Sequence, residues 1–299
     1  MADLFSELND IALTRRDIPL SKMTTVRIGG NAKYVVYPDN ALALDTLVRF
    51  LKKKGVPYKM LGKGSDLLCS DAEYNGVIIR LDRFMTDVLF EGNDVIAEAG
   101  ASIIALATQS MKKSLSGLEF ASGIPGTVGG AVFMNAGAYK SSMSRVVSEV
   151  LVYRMGRIEW IDNEACGFDY RNSIFQSHPE WIILAARLTL QQGDKKEIEE
   201  LMENRRQRRL ASQPLSQPSC GSVFRNPEGK NAWELIEGIG YRGHRIGGAM
   251  VSDKHCNFIV NADHASADDY LSLIHEIQAK VQEKYGIALR TEVEKFNWK

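Results

Sequence analysis

"LGKGSDLLCSDAEYNGVII", residues 61–79, opens like a dinucleotide fingerprint and then departs from it. Gly62-x-Gly64 follows a strand-like run, "VPYKML", as the first two glycines of such a fingerprint do. The third glycine is missing: position 67 is Leu. The residues that follow alternate and branch like further strand, with no helical period. A βαβ unit carrying a pyrophosphate on its helix is therefore excluded, and Gly62 and Gly64 need another explanation.

A second segment sharpens the question. "GIPGTVGGAVFMNAGAY", residues 123–139, holds five glycines and no charged side chain, in a protein that is 25% charged. It lacks the Gly-Lys-Ser/Thr of a P-loop. Glycine lets a ligand reach main-chain N–H groups, and clusters of those groups bind phosphate oxygens. Each segment alone reads as a tight turn. Two in one half of a chain point to a nucleotide-type cofactor.

Working outward, "NALALDTLVRFLKKKG" predicts a helix capped by Asn40 and stopped by Gly55, with Leu44, Leu47, Val48 and Leu51 on one face. "SIIALATQSMKKS" predicts another, capped by Ser102. Short β-like runs lie between them ("GVIIRL", "DVLF", "DVIAEAG"), and a β-rich patch runs from "EVLVYRM" through "RIEWI" to "WIILAARLTL". This is an α+β pattern. "DKKEIEELMENRRQRRLASQPLSQP" starts acidic and ends basic, a polarity that suits the helix dipole; Pro214 and Pro218 end it. The last part holds "NAWELIEGIG", a strand "CNFIVN", a long helix capped by Ser266 with Asp268 and Asp269 in its first turn, and a closing strand "IALRTEVEKF". The expected division is residues 1–194 and 195–299.

Composition excludes several classes. The 37 basic and 37 acidic residues balance, so no global field attracts nucleic acid or an anionic membrane. The run "RRQRR" invites a nucleic-acid reading, but acids one turn earlier favour the basic end of a surface helix. Cys69, Cys166, Cys220 and Cys256 show no C-x-x-C spacing and the histidines no H-x-x-x-H spacing, so no metal site is expected. "MADLFSELND" lacks the apolar core of a secretory signal, and no apolar run is long enough to span a membrane. A cytoplasmic protein is expected.

"TTVRIGGNAKY", "LGKGSDLLCSD", "ASGIPGTVGGAVFMNAGAY", "FDYRNSIF", "PSCGSVFRNP" and "RTEVEKF" occur in the order seen in UDP-N-acetylenolpyruvoylglucosamine reductases. The chain resembles that family from about residue 20 to its end. The resemblance implies an FAD-binding domain of the vanillyl-alcohol-oxidase (PCMH) type, built from two α+β subdomains over residues 1–194, and a C-terminal α+β substrate domain over 195–299. It implies NADPH as hydride donor and a UDP-sugar, UDP-N-acetyl-3-O-(1-carboxyvinyl)-glucosamine, as the substrate reduced to UDP-N-acetylmuramate for peptidoglycan. Related oxidases tether FAD through a histidine after an Arg-Gly-Gly-like turn. Here "RIGGNAK" offers Asn31, and residues 1–50 contain no histidine, so non-covalent FAD is expected.

The resemblance also assigns roles. Gly62, Gly64, Ser65, Asp66, Gly123, Ile124, Pro125, Gly126, Gly129, Gly130, Asn135 and Gly137 line the FAD. Ser222 matches the proton donor; read alone it is a turn serine beside Gly221. Arg171 matches the arginine that faces the substrate carboxylate; an ion pair with Asp169 is the alternative. Glu292 matches a carboxyl group that helps neutralise an enolate, although alternation puts it on a polar strand face with Ala288, Arg290 and Glu294. Asn226, Arg242 and Lys254 are expected at the substrate, the last two at its pyrophosphate or in ordinary surface roles. Residues 182–221 hold no tyrosine, which matches the branch of the family without a tyrosine loop. An oxygen-using oxidase of the same fold and a nucleotide- or nucleic-acid-binding protein are the competing readings.

Overall fold

Asn40 accepts the Ala43 N–H at 2.9 Å and starts the helix Ala41–Lys54; Gly55, left-handed at φ +67°, ends it. Leu44, Leu47, Val48 and Leu51 are fully buried along it, so the period of the sequence is the period of the packing. The computed structural model describes residues 3–298. Contacts divide the chain into two compact units. The first holds the stretch ending at Arg16 with Tyr34–Lys63 and Asn75–Gln207; the second holds Asp17–Lys33, Gly64–Tyr74 and the chain from Arg208.

The first unit carries an antiparallel five-stranded sheet. Its order is Arg157–Asp162, Val147–Arg154, Ile182–Thr189, Asp94–Glu98 and Val88–Glu91. In a second sheet, the strands Tyr58–Met60 and Tyr74–Ile79 run parallel, with Lys59 opposite Ile78. Val36, Val77, Ile79, Val95, Ala97, Val150, Val152, Ala186 and Leu188 belong to one buried cluster with the leucines of the helix Ala41–Lys54. The glycine-rich segment contains a short helix, Val128–Phe133, that its two internal glycines argue against. It forms because Thr127 caps Gly130 N–H at 3.2 Å and because Val128, Ala131 and Val132 are buried.

The second unit carries an antiparallel four-stranded sheet in the order Ser219–Ser222, Phe258–Asn261, Ala249–Val251 and Arg245–Ile246. The helix Ala267–Tyr285 buries Tyr270, Leu273, Ile274, Ile277 and Val281 in its core. Val26 and Ile28 belong to the same core. The segment around them is held by Thr25 Oγ1, which donates to the Ser219 carbonyl at 2.7 Å, and by Asn261 Nδ2, which donates to the Val26 carbonyl at 3.1 Å. The strand Leu67–Cys69 pairs in parallel with Glu294–Phe296. The units are thus discontinuous, unlike a single cut between 194 and 195, and their boundary near 207 falls within the helix Lys195–Ser212.

The closing segment differs from the single strand expected. Only Glu294–Phe296 is strand, preceded by an isolated bridge from Thr291 to Phe224. The segment changes partner between the two, antiparallel to residue 224 and then parallel to Leu67–Cys69, so no continuous ladder spans it. Alternation survives: Leu289 and Val293 are buried and Arg290 and Glu294 exposed.

The helix Ala267–Tyr285 starts with a reciprocal cap. Asp269 N–H donates to Ser266 Oγ, and Asp269 Oδ2 accepts the N–H groups of Ser266 at 3.0 Å and Gly248 at 3.1 Å. Those bonds, first Ser266 and then Gly248, hold the Asp269 carboxyl below its ordinary range. A depressed folded-state pKa contributes stability above the unfolded value, near ~3.9, and that contribution disappears as pH falls through the folded value. Asp269→Asn is therefore expected to lower the urea midpoint at pH 7, with the deficit shrinking steadily as unfolding is repeated towards pH 3.

Candidate active site

Ser222 ends the strand Ser219–Ser222, which pairs with Phe258–Asn261 through a register shift between Ser219 and Ser222. The next residues are pinned twice. Val223 N–H donates to the Asn257 carbonyl at 2.8 Å, while Asn257 Oδ1 accepts Phe224 N–H at 2.9 Å and its Nδ2 donates to the Phe224 carbonyl at 2.8 Å. A buried carboxamide here does the work of a neighbouring strand. On the other side, Glu292 N–H donates to the Val223 carbonyl at 2.8 Å and Arg225 N–H to the Arg290 carbonyl at 2.9 Å. The hydroxyl of Ser222 and the carboxyl of Glu292 are therefore carried on adjacent backbones, two motifs brought together from 70 residues apart in sequence. Glu294 N–H donates to the Asp66 carbonyl at 3.0 Å, which adds the 64–70 segment to the same neighbourhood.

The other second-unit residues are engaged within the protein. Asn226 Oδ1 accepts Ala232 N–H at 3.0 Å and so caps the helix Ala232–Gly238. Arg242 donates through Nε (3.1 Å) and Nη2 (2.6 Å) to Glu237 and through Nη1 to the Asp253 carbonyl, and its guanidinium pKa is raised first by the Glu237 hydrogen bond. Lys254 Nζ donates to the Leu210 carbonyl at 3.1 Å. Gly64 is buried against the Met23 carbonyl, and Ser65 is half-buried.

In the first unit, Arg171 lies in a tight turn. Asp169 and Asn172 exchange N–H···O=C bonds of 3.0 and 3.1 Å across it. The Arg171 guanidinium donates from Nη2 to the Gly137 carbonyl at 2.9 Å and lies 5.1 Å from the Tyr170 ring centre. Gly137 thereby anchors the arginine. Asn135, 6% exposed, is also used internally: its Nδ2 donates to the Asp169 carbonyl at 2.8 Å and its Oδ1 accepts Ser144 N–H at 2.9 Å. Lys63 is tied to Asp82 at 3.0 Å. Burial alone would raise the Asp82 carboxyl, but Arg80 and then Lys63 outweigh it and hold it low.

The remaining glycines separate into two kinds. A methyl group on Gly62 would stand 2.7 Å from Thr127 Oγ1, and one on Gly129 would stand 2.9 Å from Ala99 Cβ. Internal packing accounts for both. Gly126 and Gly130 are different: the nearest atoms to an added Cβ are Ile103 Cγ2 at 3.9 Å and Thr127 Oγ1 at 3.4 Å, and neither residue has a positive φ. Nothing in the fold forbids alanine at either place. Gly123 and Ile124 are half-buried, with Ile124 N–H on the Ala121 carbonyl at 3.0 Å, and Pro125 is exposed.

The helix bearing "RRQRR" has its own uses for these arginines. Arg206 donates to Glu203 at 2.7 and 2.8 Å, and Arg205 lies 4.8 Å from the Tyr139 ring centre. Among the described residues no cluster of His, Cys, Asp and Glu suits a metal, and no helix is long and apolar enough to cross a membrane. Asn257 and Gln176, which fix the backbone beside Ser222 and Arg171, went unread in the sequence. The one signal for Asn257 was an amide inside the apolar run "CNFIV".

Comparison with known proteins gives the class. Residues 32–162 match a family model described as an FAD binding domain. A Phl p 4 variant described as a glucose oxidase, 17% identical with a TM-score of 0.51 over 65% of this chain, shares the fold alone. The protein is an FAD-dependent oxidoreductase of α+β fold. Residues 213–296 match the C-terminal domain of UDP-N-acetylenolpyruvoylglucosamine reductase. The reductase of Bacillus licheniformis is 43% identical over 297 residues, 98% of either chain, and that of Bacillus subtilis 44% over 277 residues, 92% of this chain and 91% of the other. The crystal structure of the Thermus caldophilus enzyme aligns with a TM-score of 0.82 at 34% identity, covering 95% of this chain and all of that one. The chain belongs to the UDP-N-acetylenolpyruvoylglucosamine reductase family. Gly126 and Gly130, side-chain-free where the fold has no need of it, fit a bound FAD.

Removing the Asn257 amide strands two main-chain groups of Phe224, which is 1% exposed. Asn257→Leu is expected to cost roughly 2–6 kcal/mol, since each of the two buried groups left unpaired costs about 1–3 kcal/mol. Denaturant unfolding measures it, and a loss below about 0.5 kcal/mol would remove Asn257 from the account of how Ser222 is held.

Proposed function

We propose that this chain reduces the enolpyruvyl group of UDP-N-acetyl-3-O-(1-carboxyvinyl)-glucosamine to UDP-N-acetylmuramate with NADPH as donor, through Ser222, Arg171 and Glu292. The observation that carries the reading is the Glu292 N–H···O=C Val223 bond at 2.8 Å, which supports a hydroxyl and a carboxyl group acting together. FAD, when bound, would supply hydride chemistry at C3 of the substrate. Every other requirement falls on the protein. Negative charge appears at C2 and spreads into the adjacent carboxylate. The guanidinium fork of Arg171 suits that carboxylate as it takes on enediolate character. The carboxyl group of Glu292 hydrogen-bonds the developing enolate oxygen. The Ser222 hydroxyl gives its proton to C2; a serine is a weak acid, but the carbon it protonates is a strong base.

In this reading Gly126 and Gly130 lie along a non-covalently held FAD, with Gly123, Ile124, Pro125, Gly62, Gly64, Ser65 and Asp66 nearby. Gly129, Gly137 and Asn135 shape the segment from within. Residues 195–299 serve the UDP-sugar, with Asn226, Arg242 and Lys254 near it; Arg242 and Lys254 must exchange their present partners to reach a pyrophosphate. The balanced charge of the sequence and the partners of Arg205 and Arg206 support a small-molecule enzyme of the cytoplasm, without nucleic acid or membrane as partner.

The glycines give a test that needs no substrate. Gly130→Ala is expected to leave the apoprotein as stable or up to about 1 kcal/mol more stable, because alanine is the better helix former, while weakening FAD binding at least tenfold in fluorescence titration. Gly129→Ala, placed against Ala99, is expected to destabilise the apoprotein instead.

Ser222→Ala tests the chemistry. Flavin binding and reduction by NADPH are expected to stay near wild type, because neither step needs a proton delivered to the sugar. Reoxidation by the enolpyruvyl sugar is expected to slow about 10²–10⁴-fold, the usual worth of general acid catalysis. Anaerobic stopped-flow absorbance reads both half-reactions, and near-wild-type reoxidation would leave water or Glu292 as the acid.

A further inference from the structure

Arg171 sits at φ +52°, a left-handed conformation that an arginine rarely adopts. Such a conformation persists where the surroundings over-determine it, and here two side-chain amides do so by bonding two carbonyls of the turn. Asn135, itself at φ +42°, donates Nδ2 to the carbonyl of Asp169 at 2.8 Å. Gln176 donates Nε2 to the carbonyl of Arg171 at 3.1 Å and to that of Phe133 at 3.2 Å. Ser173 Oγ adds a bond to the same Phe133 carbonyl at 2.6 Å. The turn thus hangs from the end of the helix Val128–Phe133 and from the loop that follows it. The far end of Arg171 is held to the same loop, through the Gly137 carbonyl at 2.9 Å. Both the main chain and the guanidinium are referred to one frame, and the two amides connect them.

We propose that Asn135 and Gln176 are positioning residues for Arg171: their carboxamides fix the strained turn so that the guanidinium meets the substrate carboxylate in one orientation. This rests on the reading of Arg171 as the carboxylate partner. It moves Asn135 from the cofactor wall to the substrate machinery. Misplacing a group that acts on the transition state by about 1 Å can cost ~10²-fold, so a role of this kind shows in the step that consumes substrate and in no other.

The test uses Asn135→Asp, Gln176→Met, Arg171→Ala and the double variant Asn135→Asp/Arg171→Ala, each loaded with FAD. Aspartate keeps the left-handed backbone and an oxygen for Ser144 N–H, but loses the donor to Asp169; methionine keeps the bulk of Gln176 without its donor. Both single amide variants are expected to slow reoxidation by the enolpyruvyl sugar about 10–100-fold, with reduction by NADPH within about twofold of wild type. Calorimetric affinity for UDP-N-acetylmuramate, which keeps the carboxylate, is expected to fall about tenfold or more. In the Arg171→Ala background, adding Asn135→Asp is expected to cost less than about twofold, because the two act through one group. Full additivity, or a parallel fall in both half-reactions with lost FAD, assigns the amides to the fold and overturns the proposal. If Arg171→Ala slows reoxidation and neither amide variant does, the positioning idea alone fails. If Arg171→Ala itself reoxidises normally, the reading of Arg171 fails first and takes the proposal with it.

Discussion

The 2.8 Å bond from Glu292 N–H to the Val223 carbonyl sets what the second unit can do. It joins the segments that bear Ser222 and Glu292, the two residues proposed to act on the substrate, through main-chain groups alone. The spacing of the serine and the glutamate is therefore set by backbone hydrogen bonds. Arg225 N–H on the Arg290 carbonyl and the Asn257 clamp on Phe224 stiffen the same crossing from either end. A group that must act on one carbon gains from that arrangement, because catalytic worth falls quickly with misplacement.

Local features were legible in the sequence and non-local ones were not. The helices Ala41–Lys54, Ile103–Lys112 and Ala267–Tyr285 begin at the caps their sequences show, Asn40, Ser102 and Ser266, because capping is settled within four residues. That "TTVRIGGNAK" and "SDLLCSD" belong with the C-terminal part was not legible. Their membership is fixed by Thr25 reaching Ser219 and by Leu67 lying opposite Glu294, pairings across some 200 residues that leave no local trace. The closing strand is shorter than the sequence suggests for a related reason: alternation runs through 287–294, but alternation does not say when a segment changes partner.

The glycines show how composition misleads at a site. Read as a string, Gly126, Gly129, Gly130 and Gly137 look alike. In space Gly129 faces Ala99 and Gly137 faces Ser141, whereas Gly126 and Gly130 have room for a methyl group that they do not carry. Only the second pair is left without an explanation in internal packing. Asn135, which the resemblance places at the FAD, has both ends of its amide bound inside the protein. Arg242 and Lys254 teach the same lesson from the charged side: a cation near a motif is evidence of a ligand only after its internal partners, Glu237 and the Leu210 carbonyl, have been counted.

Ser222 shows why a motif residue needs its neighbours more than its own chemistry. Gly221, just before it, is at φ +77°, and an added Cβ there would meet no atom within 4 Å. Space does not demand glycine at 221; the backbone conformation does. The register shift between Ser219 and Ser222 lies at the same place. An irregularity of this kind turns the side chain that follows it away from the direction a regular strand would give. The pair Gly221–Ser222 is then one device: a residue free to take the left-handed conformation, and a hydroxyl whose direction that conformation sets. If Ser222 is the proton donor proposed above, a serine on a regular strand would have the same acidity and a different direction, and the bonds that hold Val223 and Phe224 behind it are what fix that direction.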